Sequence, residues 1–99
     1  MSTTRRKSKK GRLASVPLHF KLGNAAAVFV AGTFNGWRPE AMALERDGKD
    51  RWKGVLYLAP GRYEFRLVAD GVWIDPPGIA ESVENPFGSR NAVLLVEAD

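Results

Sequence analysis

Short turn signals divide this sequence and restrict it to a series of short elements. Asn-Gly, Asp-Gly and Pro-Gly pairs favour tight turns, and they occur at Asn35-Gly36, Asp47-Gly48, Pro60-Gly61 and Asp70-Gly71. Between the turns, apolar and polar residues alternate. In residues 62–70, RYEFRLVAD, the side chains of Tyr63, Phe65 and Leu67 share one face. A period of two is typical of a strand with one buried face, and no segment has a convincing helical period.

The same pattern runs from residue 16 almost to the end of the chain and predicts an all-β fold. Residues 16–22, VPLHFKL, alternate as a half-buried strand, and residues 28–30 form a more apolar one. Residues 41–44 and 51–58 supply further strands, residues 75–88 are irregular, and NAVLLVE closes the fold. We therefore predict an all-β sandwich of about seven short strands.

Positive charge is concentrated at the start of the chain. The first twelve residues carry six basic residues and no acidic one, whereas residues 13–99 carry nine basic and eleven acidic residues. We expect residues 1–14 to form a disordered basic tail and residues 15–99 to form one domain. The tail is either a solvated tether or a binder of nucleic acid or anionic lipid. The acidic balance of the domain counts against nucleic acid.

The residues that most enzyme and metal sites need are scarce here. The sequence has no cysteine and a single histidine, His19, which counts against a transition-metal site. It contains no G-x-S-x-G nucleophile motif, no phosphate-binding loop and no dinucleotide-binding motif. Asp70 and Asp75 precede Gly and Pro, and we interpret both as turn residues. We expect no catalytic residue, metal or cofactor, and a binding module rather than an enzyme.

No segment indicates export or membrane insertion. Arg5-Arg6 is similar to the start of a twin-arginine signal, but the segment behind it is interrupted by Pro17, His19 and Lys21. No apolar run approaches the roughly 20 residues that cross a bilayer. We expect a cytoplasmic protein that contacts no membrane.

Three tryptophans occupy two kinds of position. Trp52 is in phase with Leu56 and Leu58 in its strand, and we interpret it as a core residue. Trp37 and Trp73 each follow a turn signal. They form either an exposed binding platform or half-buried lids over the ends of the sandwich. A flat indole suits the apolar face of a glucose ring, and nearby amides and guanidinium groups suit its hydroxyls.

Three segments, in this order, resemble the glycogen-binding module of the AMP-activated protein kinase β subunit. They are VFVAGTFNGW, LAPGRYEFRLVADGVWIDPP and NPFGSRNAVLLV. The chain is also similar to carbohydrate-binding module family 48, the early-set domain found at the N-terminus of isoamylases and branching enzymes. The resemblance covers roughly residues 16–97. It implies an immunoglobulin-like, early-set β-sandwich of about seven to eight antiparallel strands that binds α-1,4-linked glucans such as glycogen or starch.

The resemblance also implies six carbohydrate-binding residues: Trp37, Arg66, Trp73, Phe87, Ser89 and Asn91. The two tryptophans would stack on glucose, while the arginine, serine and asparagine would hydrogen-bond hydroxyls. Arg66 stands where the family has a lysine, so the donor geometry differs. Phe87 replaces an aliphatic residue that enters a glucan ring, and it would add a third stacking contact.

Two other functions remain open at this point. Early-set domains also pack against neighbouring domains, and here the same aromatic residues would anchor a protein partner, such as a glycogen-metabolising enzyme, without binding sugar. A minor alternative is a nucleic-acid binder that acts through the basic tail.

Overall fold

The structure, a computed structural model, describes residues 5–8, 13–79 and 81–98. Within these residues nine strands and one 3₁₀ turn follow one another along the chain. They are β1 Arg5–Ser8, β2 Ala14–Lys21, β3 Val28–Gly32, the 3₁₀ turn Thr33–Asn35, β4 Glu45–Arg46, β5 Arg51–Leu58, β6 Gly61–Ala69, β7 Val72–Ile74, β8 Ser82–Glu84 and β9 Arg90–Ala98.

The strands form two sheets that enclose the apolar core. The larger sheet has the order β1-β9-β6-β3, with β7 paired to β6 and β8 paired to β9, and the smaller sheet has the order β2-β5-β4. All pairs are antiparallel except β1 with β9, which is parallel. The predicted all-β, immunoglobulin-like sandwich is confirmed.

The core follows the alternation seen in the sequence. Along β2 every second residue is buried, and on β6 the buried residues of the inner face are Phe65 and Leu67. Trp52 on β5 is only 4% exposed, which confirms its interpretation as a core residue. The guanidinium of Arg46 lies 4.7 Å above the centre of the Trp52 ring and covers that edge of the core.

Three boundaries differ from the sequence-based expectations. Arg5–Ser8, within the segment expected to be a disordered tail, forms β1; residues 1–4 and 9–12 lie outside the described residues, so their disorder stays a prediction. The strand expected over 41–44 is reduced to one bridge between Phe29 and Ala43, and β4 follows it. The irregular segment 75–88 contains the short strand β8.

Two further observations concern the described part of the chain. No helix there is long and apolar enough to cross a membrane. Within that same part, no three acidic or histidine side chains are grouped as metal ligands.

Candidate functional site

The outer face of the larger sheet brings together polar and aromatic residues from three strands. Glu64 and Arg66 lie on β6 two residues apart, and so they point to the same side. Strand register places Trp73 of β7 opposite Val68, which is on that side as well. On β9, Asn91 is two residues from Val93, the partner of Glu64, and therefore shares the face.

Arg66 lies at a junction between two neighbouring strands. Strand β9 pairs with β6 as far as Phe65, and β7 pairs with β6 from Leu67 onward. Both lie on the same edge of β6, because the other edge of β6 is paired with β3 over residues 65–69. Arg66 is therefore flanked by the end of β7 and the beginning of β9.

Trp37 is presented by a turn that its neighbours hold closed. The Asn35 side chain accepts a hydrogen bond from the Gly32 N–H (3.0 Å) and donates one to the Val30 carbonyl (3.0 Å). The Trp37 N–H donates to the Gly32 carbonyl at 2.9 Å. Gly36 and Trp37 are both left-handed, with φ of 67° and 59°. For tryptophan this conformation is strained, and strain of this kind persists where surrounding contacts impose it.

The turn sends its two aromatic residues in different directions. Phe34 packs inward, edge-on against Tyr63 (6.3 Å between ring centres) and tilted against Phe65 (6.4 Å). Trp37 remains half-buried and lines a groove on the outer face. The Asn35-Gly36 pair therefore lies at the end of a 3₁₀ turn that is followed by residues in the left-handed conformation. It does not form a two-residue hairpin.

A groove of about 670 Å³ opens between these elements, and we call it the aromatic groove. Its lining includes three aromatic rings, two charged side chains and two amides. The lining residues are Thr33, Trp37, Glu64, Arg66, Trp73, Asn85, Pro86, Phe87 and Asn91. Trp73 is 39% exposed and Phe87 is 90% exposed, so both rings offer free surface to a ligand.

The loop between β8 and β9 carries Phe87 and is fixed at its base by Asn85. The Asn85 side-chain oxygen accepts hydrogen bonds from the backbone N–H groups of Phe87 and Ser89, each at 3.0 Å. Its amide nitrogen donates to the Asn91 side-chain oxygen at 3.0 Å. The exposed Phe87 ring therefore stands on a loop whose backbone is held from the floor of the groove.

This hydrogen-bond chain continues to a carboxylate. The Asn91 amide donates to Glu64 Oε1 at 3.0 Å, and Arg62 Nη1 donates to Glu64 Oε2 at 2.7 Å. Hydrogen bonds from Asn91 and then Arg62 lower the pKa of Glu64 below its ordinary value of 4.5, and partial desolvation opposes them. Asn91 is only 8% exposed, and both its side-chain oxygen and its side-chain nitrogen are hydrogen-bonded.

The lowered pKa of Glu64 predicts a pH-dependent contribution to stability. A carboxyl whose folded pKa is depressed stabilises the fold above its unfolded pKa, and this contribution is lost as pH falls through the folded pKa. We expect the melting temperature of the wild type to exceed that of Glu64→Gln at about pH 6, and the difference to shrink toward about pH 3. Thermal unfolding of both proteins across this range checks it, and a difference independent of pH contradicts it.

Arg66 is held by the carboxylate of Asp75, a residue that the sequence predicts to act in a turn. Asp75 Oδ1 accepts a hydrogen bond from Arg66 Nη2 at 2.8 Å, and the Arg66 side chain is only 14% exposed. The Arg90 N–H approaches the same oxygen at 3.4 Å. Asp70, by contrast, remains in its turn (φ 51°), and its carboxylate accepts from the N–H groups of Ala26 and Ala27.

Five of the six residues expected to bind carbohydrate line the aromatic groove: Trp37, Arg66, Trp73, Phe87 and Asn91. Ser89 lies at the base of the same loop, half-buried, and does not line the groove. Their role in binding stays a prediction.

Sequence reasoning missed Glu64 and Asp75. Both could have been found, because Glu64 alternates with Arg66, and extending the hairpin pairs beyond Leu67 and Ile74 aligns residue 75 with Arg66.

Comparison with known proteins assigns a family to this arrangement. The family described as the glycogen recognition site of AMP-activated protein kinase matches residues 15–99, which include every residue of the aromatic groove.

Three plant proteins are similar over most of this chain. Protein PTST, chloroplastic, of Arabidopsis thaliana is 37% identical over 84 residues, covering 79% of this chain and 28% of that protein. Protein FLOURY ENDOSPERM 6, chloroplastic, of Oryza sativa subsp. japonica is 38% identical over 72 residues, covering 73% and 13%. Protein PTST homolog 2, chloroplastic, of Arabidopsis thaliana is 31% identical over 78 residues, covering 74% and 13%. The chain thus spans less than a third of the length of these relatives.

The comparisons correct one expectation. The predicted cytoplasmic location is wrong, because all three relatives are named as chloroplastic proteins. The prediction depended on the absence of an apolar export signal, and a chloroplast-targeting segment is not of that kind, being amphipathic and rich in Ser and Arg.

Proposed function

The chain belongs to the family of the glycogen recognition site of AMP-activated protein kinase, and we propose that it is a non-catalytic module that binds α-1,4-linked glucan in the aromatic groove. One observation carries the proposal. Five residues chosen by resemblance to glucan-binding modules, from three separate parts of the chain, line a single groove. Residues that served only to close loops would have no reason to converge in this way.

In the proposed mechanism, the aromatic rings cover the apolar faces of glucose units. Trp37 and Trp73 stack on successive units, and Phe87 covers the chain from the loop between β8 and β9. Arg66 donates to hydroxyls from a position that Asp75 fixes. Asn91, with both ends of its amide engaged, mainly holds the loop in place.

The expected affinity is modest. The groove is open, and a hydroxyl that leaves water for a protein donor gains little beyond its desolvation and ordering costs. A branched or granular glucan offers many chains, so linked or clustered modules reach higher avidity than a single one. The relatives are much longer than this chain, and we propose that such a module works beside a glucan-metabolising enzyme within a plastid.

A titration tests the proposal directly. Maltoheptaose is added to the full chain while intrinsic tryptophan fluorescence is recorded, and the chain is sedimented with glycogen and with starch granules. We expect a saturable fluorescence change at millimolar sugar and co-sedimentation with both polymers. Cellohexaose, which has β-1,4 linkages, serves as the control. Absence of any response to maltoheptaose at millimolar concentration contradicts the proposed function.

A further inference from the structure

Two polar side chains of β6 stand side by side in the aromatic groove. Glu64 and Arg66 share the outer face of the strand, and their Cα atoms are about 7 Å apart at two residues' rise. Both line the groove together with the rings of Trp37, Trp73 and Phe87. The hydroxyl edge of a glucose unit stacked on these rings would therefore face both the carboxylate of Glu64 and the guanidinium of Arg66.

Glu64 has acceptor capacity left for a ligand. A carboxylate offers about four lone-pair positions, and the hydrogen bonds from Asn91 and Arg62 occupy one position on each oxygen. Among the described residues that line the groove, Glu64 is the only carboxylate. Its two protein donors also fix its orientation, so that a ligand meets an ordered acceptor.

Arg66 has donor capacity left on the same side. Its Nη2 donates to Asp75, whereas its Nε is buried and has no hydrogen-bond partner among the residues that the structure describes. A buried donor without a partner is unfavourable. This Nε is closed to a ligand as it is to water, so a ligand oxygen in the groove reaches the guanidinium of Arg66 through its Nη groups, which carry the other N–H donors.

We propose that Glu64 and Arg66 act as an acceptor–donor pair for two adjacent hydroxyls of one glucose unit, and that Glu64 is a ligand-contacting residue of this site. This inference rests on the proposed function. Each sugar hydroxyl is both donor and acceptor. Arginine and lysine can only donate, so a site built from them leaves the hydroxyl hydrogens without a partner. Glu64 accepts one of these hydrogens, and Arg66 donates to the neighbouring oxygen.

Substitution of Glu64 tests the proposal on the protein side. We expect Glu64→Ala to weaken maltoheptaose binding about ten-fold, as loss of a charge-assisted hydrogen bond implies. Glu64→Gln, which keeps the shape, should weaken it by a smaller factor. Glu45→Ala is the matched control. Glu45 lies on β4 in the smaller sheet, is exposed and does not line the groove, so its removal should change affinity less than about three-fold.

Sugars that lack one hydroxyl distinguish two roles of Glu64: direct contact with the ligand, or only the positioning of Asn91. A series of maltotriosides, each without one hydroxyl, is titrated against the wild type, Glu64→Ala and Glu64→Gln. We expect one hydroxyl whose removal costs the wild type about ten-fold in affinity but costs the Glu64 variants much less. If Glu64→Ala does not fold, Glu64→Gln carries the comparison.

The outcomes distinguish this inference from the proposed function. If the wild type binds maltoheptaose and every hydroxyl removal costs the wild type and the Glu64 variants equally, Glu64 makes no ligand contact. The inference is then overturned while glucan binding stands. If the wild type binds no maltoheptaose, both proposals fail.

Discussion

Replacing Trp73 by alanine is expected to weaken maltoheptaose binding about 30-fold. The ring is 39% exposed and lines the aromatic groove. That exposed fraction of an indole is on the order of 100 Å², and covering it contributes about 2 kcal/mol, which is about 30-fold in affinity. Because Trp73 lies on the three-residue strand β7 and outside the main core, the fold should survive the substitution.

Tyr57→Ala is the matched control for this experiment. Tyr57 is an aromatic residue with 64% exposure on β5, in the smaller sheet, and it does not line the groove. Affinities of the wild type and both variants are measured by calorimetry, with circular dichroism as the check on folding. Undiminished binding by a folded Trp73→Ala protein, or an equal loss in Tyr57→Ala, contradicts the assignment of the groove.

Replacing Gly32 by alanine is expected to destabilise the fold by about 3 kcal/mol, the upper part of the range for overpacked sites. Gly32 has an extended backbone (φ −161°), so conformation does not require glycine there. Space does require it. A Cβ atom would come within 2.5 Å of the Glu64 carbonyl oxygen and 2.7 Å of the Phe34 ring. The carbonyl belongs to a paired strand and cannot move away without disturbing β6.

Thermal unfolding measures this effect. For a domain of this size, about 3 kcal/mol corresponds to a fall of more than about 10 °C in melting temperature. The control is Gly23→Ala, where an added Cβ meets no atom within 4 Å, and we expect it to be neutral or slightly stabilising. Equal melting temperatures for the two variants contradict the steric argument.

The fold could be predicted because its strands alternate. In β2 every inward residue is apolar and buried, and on β5 and β6 the inward residues Trp52, Leu56, Leu58, Phe65 and Leu67 are buried as the alternation predicts. Trp52 was placed in the core by its phase alone. The Asp70-Gly71 pair fixed the register of the β6–β7 hairpin, and so it determined which face Trp73 occupies.

Features that depend on contacts between distant residues could not be predicted in this way. Strand β8 has three residues and no clear period, and it exists because β9 offers it a partner. The bridge at Ala43 likewise depends on Phe29. In the site, the side-chain amide of Asn91 is of a type that binds hydroxyls, and this indicates a role from the sequence alone. Its burial and its hydrogen bond to Glu64 depend on contact between residues 27 positions apart in the sequence.

The closed turn at Trp37 has a consequence for the speed of recognition. Asn35 holds the turn through two hydrogen bonds to the backbone, and the left-handed residues Gly36 and Trp37 then fix the direction of the indole. The conformational cost of presenting this ring is therefore met when the chain folds, not when a ligand arrives. Under the proposed function, a glucan chain would dock without waiting for a loop to rearrange, and a modest affinity would let it leave quickly. We expect such a module to sample a polymer surface through rapid exchange and to be retained there by repeated rebinding.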